Sequence, residues 1–230
     1  MIENKPGIYN APSIYDQGGA KPVVIPNDVT LYNKLVQTAS ITAENQEIKI
    51  YFPSAISNEN IIGILGSLAA SGQGERFEIS SINNSPGTRN VYIGFSWNYA
   101  TDDGIQVSNG GQFSTTLIPG GMNFFNKRFC LELDQKKMRN EFTGNLYGTI
   151  GDGEYGTVKA GGFSIPSVQY GIAPRITIER LYIKKANGVY LADCRPAVKS
   201  GNPGLYDVVS GNFGSANDTS IWSVQDQAVY

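Results

Sequence analysis

Hydrophobic and polar residues alternate along much of this chain, which is the period-2 pattern of a strand with one buried face. The segment EIKIYF shows the pattern clearly. Its apolar side comprises Ile48, Ile50 and Phe52, and its polar side comprises Glu47, Lys49 and Tyr51. We therefore predict a strand here, with the isoleucines and Phe52 facing a core.

Further apolar runs are separated by turn residues. NIIGILGSLAAS is apolar throughout, and Gly63 and Gly66 favour a buried strand and turn over a short helix. The segment ISSINNSPGTRNVYIGF predicts a hairpin across a Pro-Gly turn. QFSTTLIP and FSIPSVQYG predict two more strands. TDDGIQVSNGGQ and GDGEYGTVKAGG are rich in turn residues and predict loops.

The second half of the chain continues the pattern. Two strands are predicted, around residues 128–134 and 145–150, with a polar turn region between them. In ITIERLYIKK the apolar positions change phase at Arg180, which predicts a β-bulge. Asn187-Gly188 predicts a tight hairpin turn. In GLYDVVSGNFGS we expect Leu205, Val209 and Phe213 to face inward, in two short strands joined at Ser210-Gly211.

Many short strands with frequent turns predict an all-β fold. The 27 glycines and 11 prolines are spread over the whole chain, which favours turns over helices. We predict an antiparallel β-sandwich of jelly-roll type over residues 29–230.

The first 28 residues differ from the rest, because they contain four prolines and follow no strand or helix period. Two similar units, GIYNAP and SIYDQG, carry large apolar side chains that a solvated segment would not be expected to expose. We predict an extended arm over residues 1–28 that docks on another chain. Packing on its own domain is the alternative. The docking residues are Ile8, Tyr9, Pro12, Ile14 and Tyr15.

Charge and composition restrict the function. The net charge of −2 includes no basic block, so nucleic acid is not an expected partner. The chain has no histidine, which excludes a Ser-His-Asp or Cys-His catalytic centre and removes the commonest zinc ligand. We expect no cofactor and no membrane span, and synthesis in the cytoplasm. Cys130 and Cys194 are expected to be buried free thiols, with a disulfide as the alternative.

The C-terminal stretch resembles a family pattern. It has Arg180-Leu181-Tyr182, then Asn187-Gly188, then Asp193-Cys194-Arg195-Pro196 and Gly204-Leu205-Tyr206-Asp207, and it closes with Ser210-Gly211-Asn212-Phe213. These pieces resemble the last part of concanavalin A-like (laminin G-type) domains of bacteriophage and prophage virion proteins. The resemblance extends in looser order over about residues 30–215. One departure is Gly214, where the family often has an aromatic residue.

The resemblance implies the fold and a structural role. The motif residues, expected to be structural, are Cys194, Pro196, Gly204, Leu205, Tyr206, Asp207 and Phe213. We expect Gly204 to adopt a backbone conformation that other residues resist, and Asp207 to reach polar partners. The arm also resembles N-terminal segments of structural proteins in large tailed phages, including crAss-like phages. This implies that the arm fixes the domain to other virion proteins.

Some segments contain groups that could carry chemistry. Glu132-Leu133-Asp134 matches two carboxylates of a glycoside hydrolase strand motif, but its third position is Lys137, so hydrolysis is not expected. Carboxylates at 102–103 and 152–154 could bind calcium, although ordinary turns fit them better. A glycan platform is a separate hypothesis, built from Trp97, Tyr99, Asp102 and Asp103.

Together these observations predict a non-enzymatic virion structural protein, a head or tail fibre or decoration module. It would be located in the virion, form a homo-oligomer and present a β-sandwich, with a host cell-surface glycan as a further candidate partner. The alternative is a carbohydrate-binding, lectin-like module.

Overall fold

Antiparallel strands form almost all the regular structure of the described residues. The computed structural model describes residues 24–56, 60–69, 76–82, 90–98, 102–108, 113–117, 128–134, 137–140, 146–149, 160–166 and 175–228. Their strands are β1 (Val29–Gln37), β2 (Ile48–Ile56), β3 (Ile61–Ala69), β4 (Arg76–Ile82), β5 (Asn90–Asn98), β6 (Asp102–Ser108), β7 (Phe113–Leu117), β8 (Arg128–Asp134), β9 (Lys137–Asn140), β10 (Leu146–Thr149), β11 (Ala160–Ile165), β12 (Arg175–Lys184), β13 (Tyr190–Lys199), β14 (Asn202–Asp207), β15 (Phe213–Ser215) and β16 (Trp222–Gln227). The helical structure within these ranges is one 3-10 turn, Glu44–Gln46.

All of these strands belong to one antiparallel sheet. Its order is β10-β9-β8-β3-β12-β1-β13-β14-β15-β2-β11-β4-β5-β6-β7, and β16 pairs with β1 off this path. The first and last described strands of the chain are therefore neighbours. The prediction of an all-β, antiparallel fold is confirmed. None of the described ranges contains a helix long and apolar enough to cross a membrane.

The sheet curls, and its concave side encloses the main core. Strands from both halves of the sheet supply this core, and the two terminal strands β10 and β7 approach each other with Cα atoms within 8 Å. Phe52 and Phe163 meet edge to face across the β2–β11 pair, with ring centroids 5.3 Å apart. The fully buried core side chains include Leu35, Ile48, Ile50, Ile64, Leu68, Phe163, Ile178 and Leu181.

A second, smaller apolar cluster lies on the outer face of the sheet. It consists of Val29, Leu31, Ala197, Tyr206 and Val208. Ile25 and Ala228, near the two ends of the described chain, pack against it together with Phe213. The outer face thus has an apolar region beside the two ends of the described chain.

Several predicted strands and turns are confirmed. Residues 61–69 form a strand, β4 and β5 pair as a hairpin, and the Asn187-Gly188 turn joins β12 to β13 with Gly188 at φ +85°. The sheet register shifts between Ile178 and Arg180, so the predicted bulge is present.

Other predictions were wrong. Asp102–Ser108, expected in a loop, is strand β6, paired on both sides with β5 and β7. The polar region expected to be a turn contains strand β9, Lys137–Asn140. In both segments cross-strand pairing outweighs the local preference of turn residues. Glu47, expected on the polar side, is 1% exposed and accepts a hydrogen bond from Ser164.

The segment GLYDVVSGNFGS, residues 204–215, which we call the closing hairpin, is also only partly as expected. Leu205 is fully buried, but Val209 lies in the turn and is 48% exposed, and Phe213 is half-buried on the outer face. Gly204 is required by a close neighbour: a β-carbon there would lie 2.2 Å from the Gly214 carbonyl oxygen. The expected special backbone conformation is found at Gly211, at φ +79°.

Candidate functional site

The β-bulge in β12 places two charged residues side by side on the outer face. Ile178 is paired with Gly66 and Arg180 with Leu65, so Glu179 is the extra residue. Ile178 and Leu181 both belong to the core, which leaves Glu179 and Arg180 pointing outward. Glu179 accepts two-pronged hydrogen bonds from Arg128, with the closest atoms 2.6 Å apart. Arg180 reaches the other way, toward β13.

Arg180 and Arg195 grip the carboxylate of Asp193 from two sides, and we call these three residues the arginine clamp. Arg180 Nε lies 2.8 Å from Asp193 Oδ1 and Nη2 lies 3.0 Å from Oδ2. Arg195 Nη2 donates to Oδ2 at 3.0 Å, whereas its Nε lies 2.9 Å from Oδ1 in a direction that gives no hydrogen bond. The Asp193 side chain is only 3% exposed.

The clamp keeps Arg180 charged although it is largely covered. Burial acts to lower the pKa of Arg180, but the hydrogen bonds and charge of Asp193 outweigh burial and raise the pKa above its ordinary value. Two aromatic rings flank the guanidinium, whose Cζ lies 4.8 Å from the Tyr182 ring centroid and 5.0 Å from that of Tyr190. These are cation–π distances. The arginine is therefore held by a carboxylate and two aromatic faces.

Tyr182 extends the polar network across two further strands. Gly63 of β3 lies opposite Tyr182 on one side and opposite Glu132 of β8 on the other. Because Gly63 has no side chain, the tyrosine ring passes over β3, and its hydroxyl donates a 2.5 Å hydrogen bond to Glu132 Oε1. Lys184 Nζ donates to the same oxygen. Glu132 is thus part of an ion-paired cluster.

Asp207 connects the arginine clamp to the closing hairpin. Its Oδ1 accepts the backbone N–H of Asp193 at 2.8 Å and that of Val209 at 3.0 Å, and its Oδ2 accepts the Ser210 hydroxyl at 2.5 Å. The N–H of Val208 in turn donates to the Asp193 carbonyl at 3.0 Å. Asp207 is fully buried. One carboxylate therefore fixes the turn after β14 to the middle of β13.

The arginine clamp and Asp207 together connect β13 to the turn after β14, and we call this region the junction. Its chemistry is structural. Each carboxylate named here accepts hydrogen bonds from cationic, hydroxyl or backbone donors, as buried charged groups need. Cys194 lies beside the junction on the core side. Burial, together with Asp207 and Asp193, raises the pKa of its thiol well above the ordinary value, so the reactive thiolate is disfavoured. Cys130 and Cys194 are buried free thiols, as predicted.

The motif residues quoted for the resemblance meet at this junction. Cys194 lies opposite Asp207, and Pro196 lies opposite Leu205, in the β13–β14 pair. Tyr206 lies opposite Phe213 in the β14–β15 pair. All except Phe213 are buried, and Gly204 is buried as well. The expectation that Asp207 satisfies donors at a turn agrees with its three contacts.

The glycan hypothesis falls on the β5–β6 pair. Trp97 is directly opposite Asp103, and Asn98 is opposite Asp102. Tyr99 lies outside the described residues, as do the docking residues Ile8, Tyr9, Pro12, Ile14 and Tyr15. The second calcium candidate, residues 152–154, is outside them too. Within the described part of the chain, no group of three or more acidic or cysteine side chains could hold a metal ion.

Sequence reasoning missed the link from Tyr182 to Glu132. The sequence shows Glu132 only as part of an incomplete hydrolase motif, whereas the structure places it at the end of a polar row that crosses Gly63. The available signal was the alternation Arg180, Tyr182, Lys184, which puts three polar groups on one strand face after the bulge.

Comparison with known proteins does not identify the chain. No family model, curated protein or solved structure matches it.

Proposed function

We propose that this chain is a non-enzymatic structural protein of a bacteriophage virion, a head or tail fibre or decoration module. In this proposal residues 29–230 form a concanavalin A-like (laminin G-type) β-sandwich of jelly-roll type. Residues 1–28 form the arm that fixes it to other virion proteins, and the assembled module presents the sandwich to the host surface.

The observation that carries this proposal is the convergence of the motif residues on one junction. Asp207, Cys194 and Leu205 come from two segments that the resemblance treats as separate pieces, and they meet in register in the β13–β14 pair. A motif that serves folding is expected to have this property, because its residues are buried and its carboxylate, Asp207, accepts hydrogen bonds from three donors. The curled sheet with adjacent first and last strands supports the sandwich.

The state of Glu132 supports a non-enzymatic role. A retaining glycosidase needs two carboxyl groups about 5–5.5 Å apart, one of them free to act as nucleophile. Here Glu132 accepts hydrogen bonds from Tyr182 and Lys184, and Lys137, in the third motif position, lies opposite Asp134. We expect no hydrolysis of β-glucans. Turnover by the purified chain that disappears in Glu132→Gln would contradict this expectation.

Particle incorporation tests the proposal. Virions from a culture that produces the tagged chain would be banded on a density gradient and analysed by mass spectrometry. We expect the chain in the particle band, and its loss from that band in the double variant Ile14→Ser/Tyr15→Ser. The matched control is Val189→Ser, which removes an exposed apolar side chain from the β12–β13 turn. Absence of the unmodified chain from the particles would overturn the proposal.

A carbohydrate-binding, lectin-like module is the second candidate. The direct pairing of Trp97 with Asp103 favours it, because stacking faces and carboxylates together suit sugar recognition. Glycan-array binding by the full chain that is lost in Trp97→Ala and Asp103→Asn would support the lectin class. If the chain bound no glycan, the lectin class would be ruled out and the structural role would remain.

A further inference from the structure

Three aromatic side chains on adjacent strands form a row on the outer face, which we call the aromatic row: Tyr206, Phe213 and Tyr51. Tyr206 of β14 lies opposite Phe213 of β15. Ser215 lies opposite Lys49, and the same antiparallel register places Phe213 beside Tyr51 of β2. The Asn212 side chain donates a 2.9 Å hydrogen bond to the Tyr51 carbonyl and fixes this pairing.

The row becomes more exposed from one end to the other. Tyr206 is 2% exposed, Phe213 is half-buried and Tyr51 is 55% exposed. Glycines lie next to the rings: a β-carbon on Gly204 would be 2.8 Å from Phe213 Cζ, and one on Gly162 would be 3.2 Å from Tyr51 Cδ1. The rings of Phe213 and Tyr51 therefore lie close to glycine backbone. Exposed aromatic surface of this kind is typical of interaction sites.

The first described residues of the chain lie near the aromatic row. Ile25 packs against the same outer-face cluster as Phe213, and the preceding Val24 is 64% exposed. Ile25 precedes Pro26, and a residue that precedes proline favours extended backbone. Val24 and Ile25 therefore lie near the aromatic row.

We propose that the aromatic row is the docking site for the Ile14-Tyr15 unit of the N-terminal arm of a second copy of this chain. The unit supplies an aliphatic and an aromatic side chain that can pack on the aromatic row, and Asp16 follows it. Lys49 lies two residues from Tyr51 on the same face and makes no ion pair within the described residues, so it can receive that carboxylate. The inference rests on the proposed function, in which the arm docks on another chain.

The chain before Val24 is long enough for the Ile14-Tyr15 unit to reach a second copy. Val24 is nine positions after Tyr15, and a fully extended chain of that length spans at most about 30 Å. The Ile14-Tyr15 unit can therefore reach the row of a second copy, and the concentration dependence of association distinguishes this contact from docking on its own row. Reciprocal exchange of arms between two copies gives a closed dimer, whereas docking of each arm on the next copy gives rings or extended arrays of the kind that fibres use.

Sedimentation velocity over a range of concentrations tests the proposal. We expect the full chain to self-associate, and we expect Tyr51→Ser and the double variant Ile14→Ser/Tyr15→Ser each to weaken association by at least about tenfold. Val189→Ser should associate like the unmodified chain. All variants should keep the far-ultraviolet circular dichroism and thermal midpoint of the parent, because Tyr51 and Val189 are exposed.

Mixing provides the decisive readout. In head-to-tail docking, a chain with a defective arm still offers a row, and Tyr51→Ser still offers an arm. Equimolar mixing of the two variants should restore a one-to-one complex that neither forms alone. Failure of mixing to restore association, or a parent that stays monomeric, would overturn the inference. If the arm variant is nevertheless lost from virions, the arm docks on a different virion protein, and the proposed function stands without this inference.

Discussion

The phenol ring of Tyr182 lies over the backbone of Gly63, in the space where a side chain on residue 63 would be. A β-carbon built on Gly63 would lie 2.0 Å from Tyr182 Cζ. This placement lets the hydroxyl cross β3 and donate to Glu132 on β8 at 2.5 Å. A missing side chain on one strand thus makes possible a hydrogen bond between its two neighbours.

Gly63→Ala should therefore destabilise the protein, although alanine is usually the better residue in a strand. Displacement of the ring should lower the free energy of unfolding by about 1–3 kcal/mol, as overpacking does. Urea denaturation measures this change. In a Tyr182→Leu background the same substitution should cost much less, because the ring is gone. An equal cost in both backgrounds would show that the clash with Tyr182 is not the cause.

Removal of the carboxylate at the centre of the arginine clamp should be more costly. Asp193→Ala leaves Arg180 and Arg195 facing each other without a counter-charge, and breaking a buried ion pair in this way costs about 3–5 kcal/mol. The control is Asp226→Asn, which removes an exposed ion pair with Lys34 of similar length, 2.7 Å. That variant should shift the urea midpoint only slightly, and less in high salt. A comparable loss in both variants would contradict the structural role of the clamp.

The buried thiols should be inert in the folded protein. Burial and the nearby Asp207 and Asp193 raise the pKa of Cys194, and Cys130 is 3% exposed. We expect a disulfide reagent such as DTNB to react with both thiols only at the rate of unfolding, and rapidly in urea. Fast reaction of one thiol in native buffer would show that its strand opens locally.

The two apolar residues of the closing hairpin should differ in their contributions. Leu205 is fully buried in the main core, so Leu205→Ala should cost about 2–5 kcal/mol. Phe213 is half-buried on the aromatic row, and Phe213→Ala should cost clearly less. Denaturation of both variants under the same conditions measures the difference. A larger cost for Phe213→Ala would mean that the row is covered in the isolated protein.

The sequence predicted those features that depend on local pattern. Alternation identified β2, the phase change at Arg180 identified the bulge, and Asn187-Gly188 identified the turn between β12 and β13. Each of these signals comes from residues within a few positions of one another. The bulge was the most informative, because it also explains why Glu179 and Arg180 lie on one face.

Features that depend on distant strands were not predictable in the same way. The burial of Glu47 depends on Ser164, which is 117 residues away, and the role of Gly63 depends on Tyr182. Strand β6 was missed because Asp102, Asp103 and Gly104 have turn preferences that pairing with β5 overrides. A single sequence contains no direct record of which strands become neighbours.

Substitution of Asp207 tests whether the closing hairpin is structural or serves recognition. Its carboxylate accepts the backbone N–H groups of Asp193 and Val209 on one oxygen and the Ser210 hydroxyl on the other. Asp207→Asn can keep the carbonyl oxygen that faces the two N–H groups and changes only the contact with the Ser210 hydroxyl, in which the amide would take the place of the accepting oxygen. Asp207→Ala leaves all three donors unpaired, at about 1–3 kcal/mol for each group that water cannot reach.

We therefore expect the free energy of unfolding to fall in the order parent, Asp207→Asn, Asp207→Ala, with the alanine variant close to unfolding at growth temperature. Ser210→Ala is the matched control, because it removes the hydroxyl contact with Asp207 and also the acceptor of the Asn212 N–H at 3.3 Å, so its cost should be at least that of Asp207→Asn. If Asp207→Ala were as stable as the parent but no longer attached to host cells, Asp207 would contact a receptor. The junction would then be a recognition site, and the structural role proposed for the closing hairpin would be wrong.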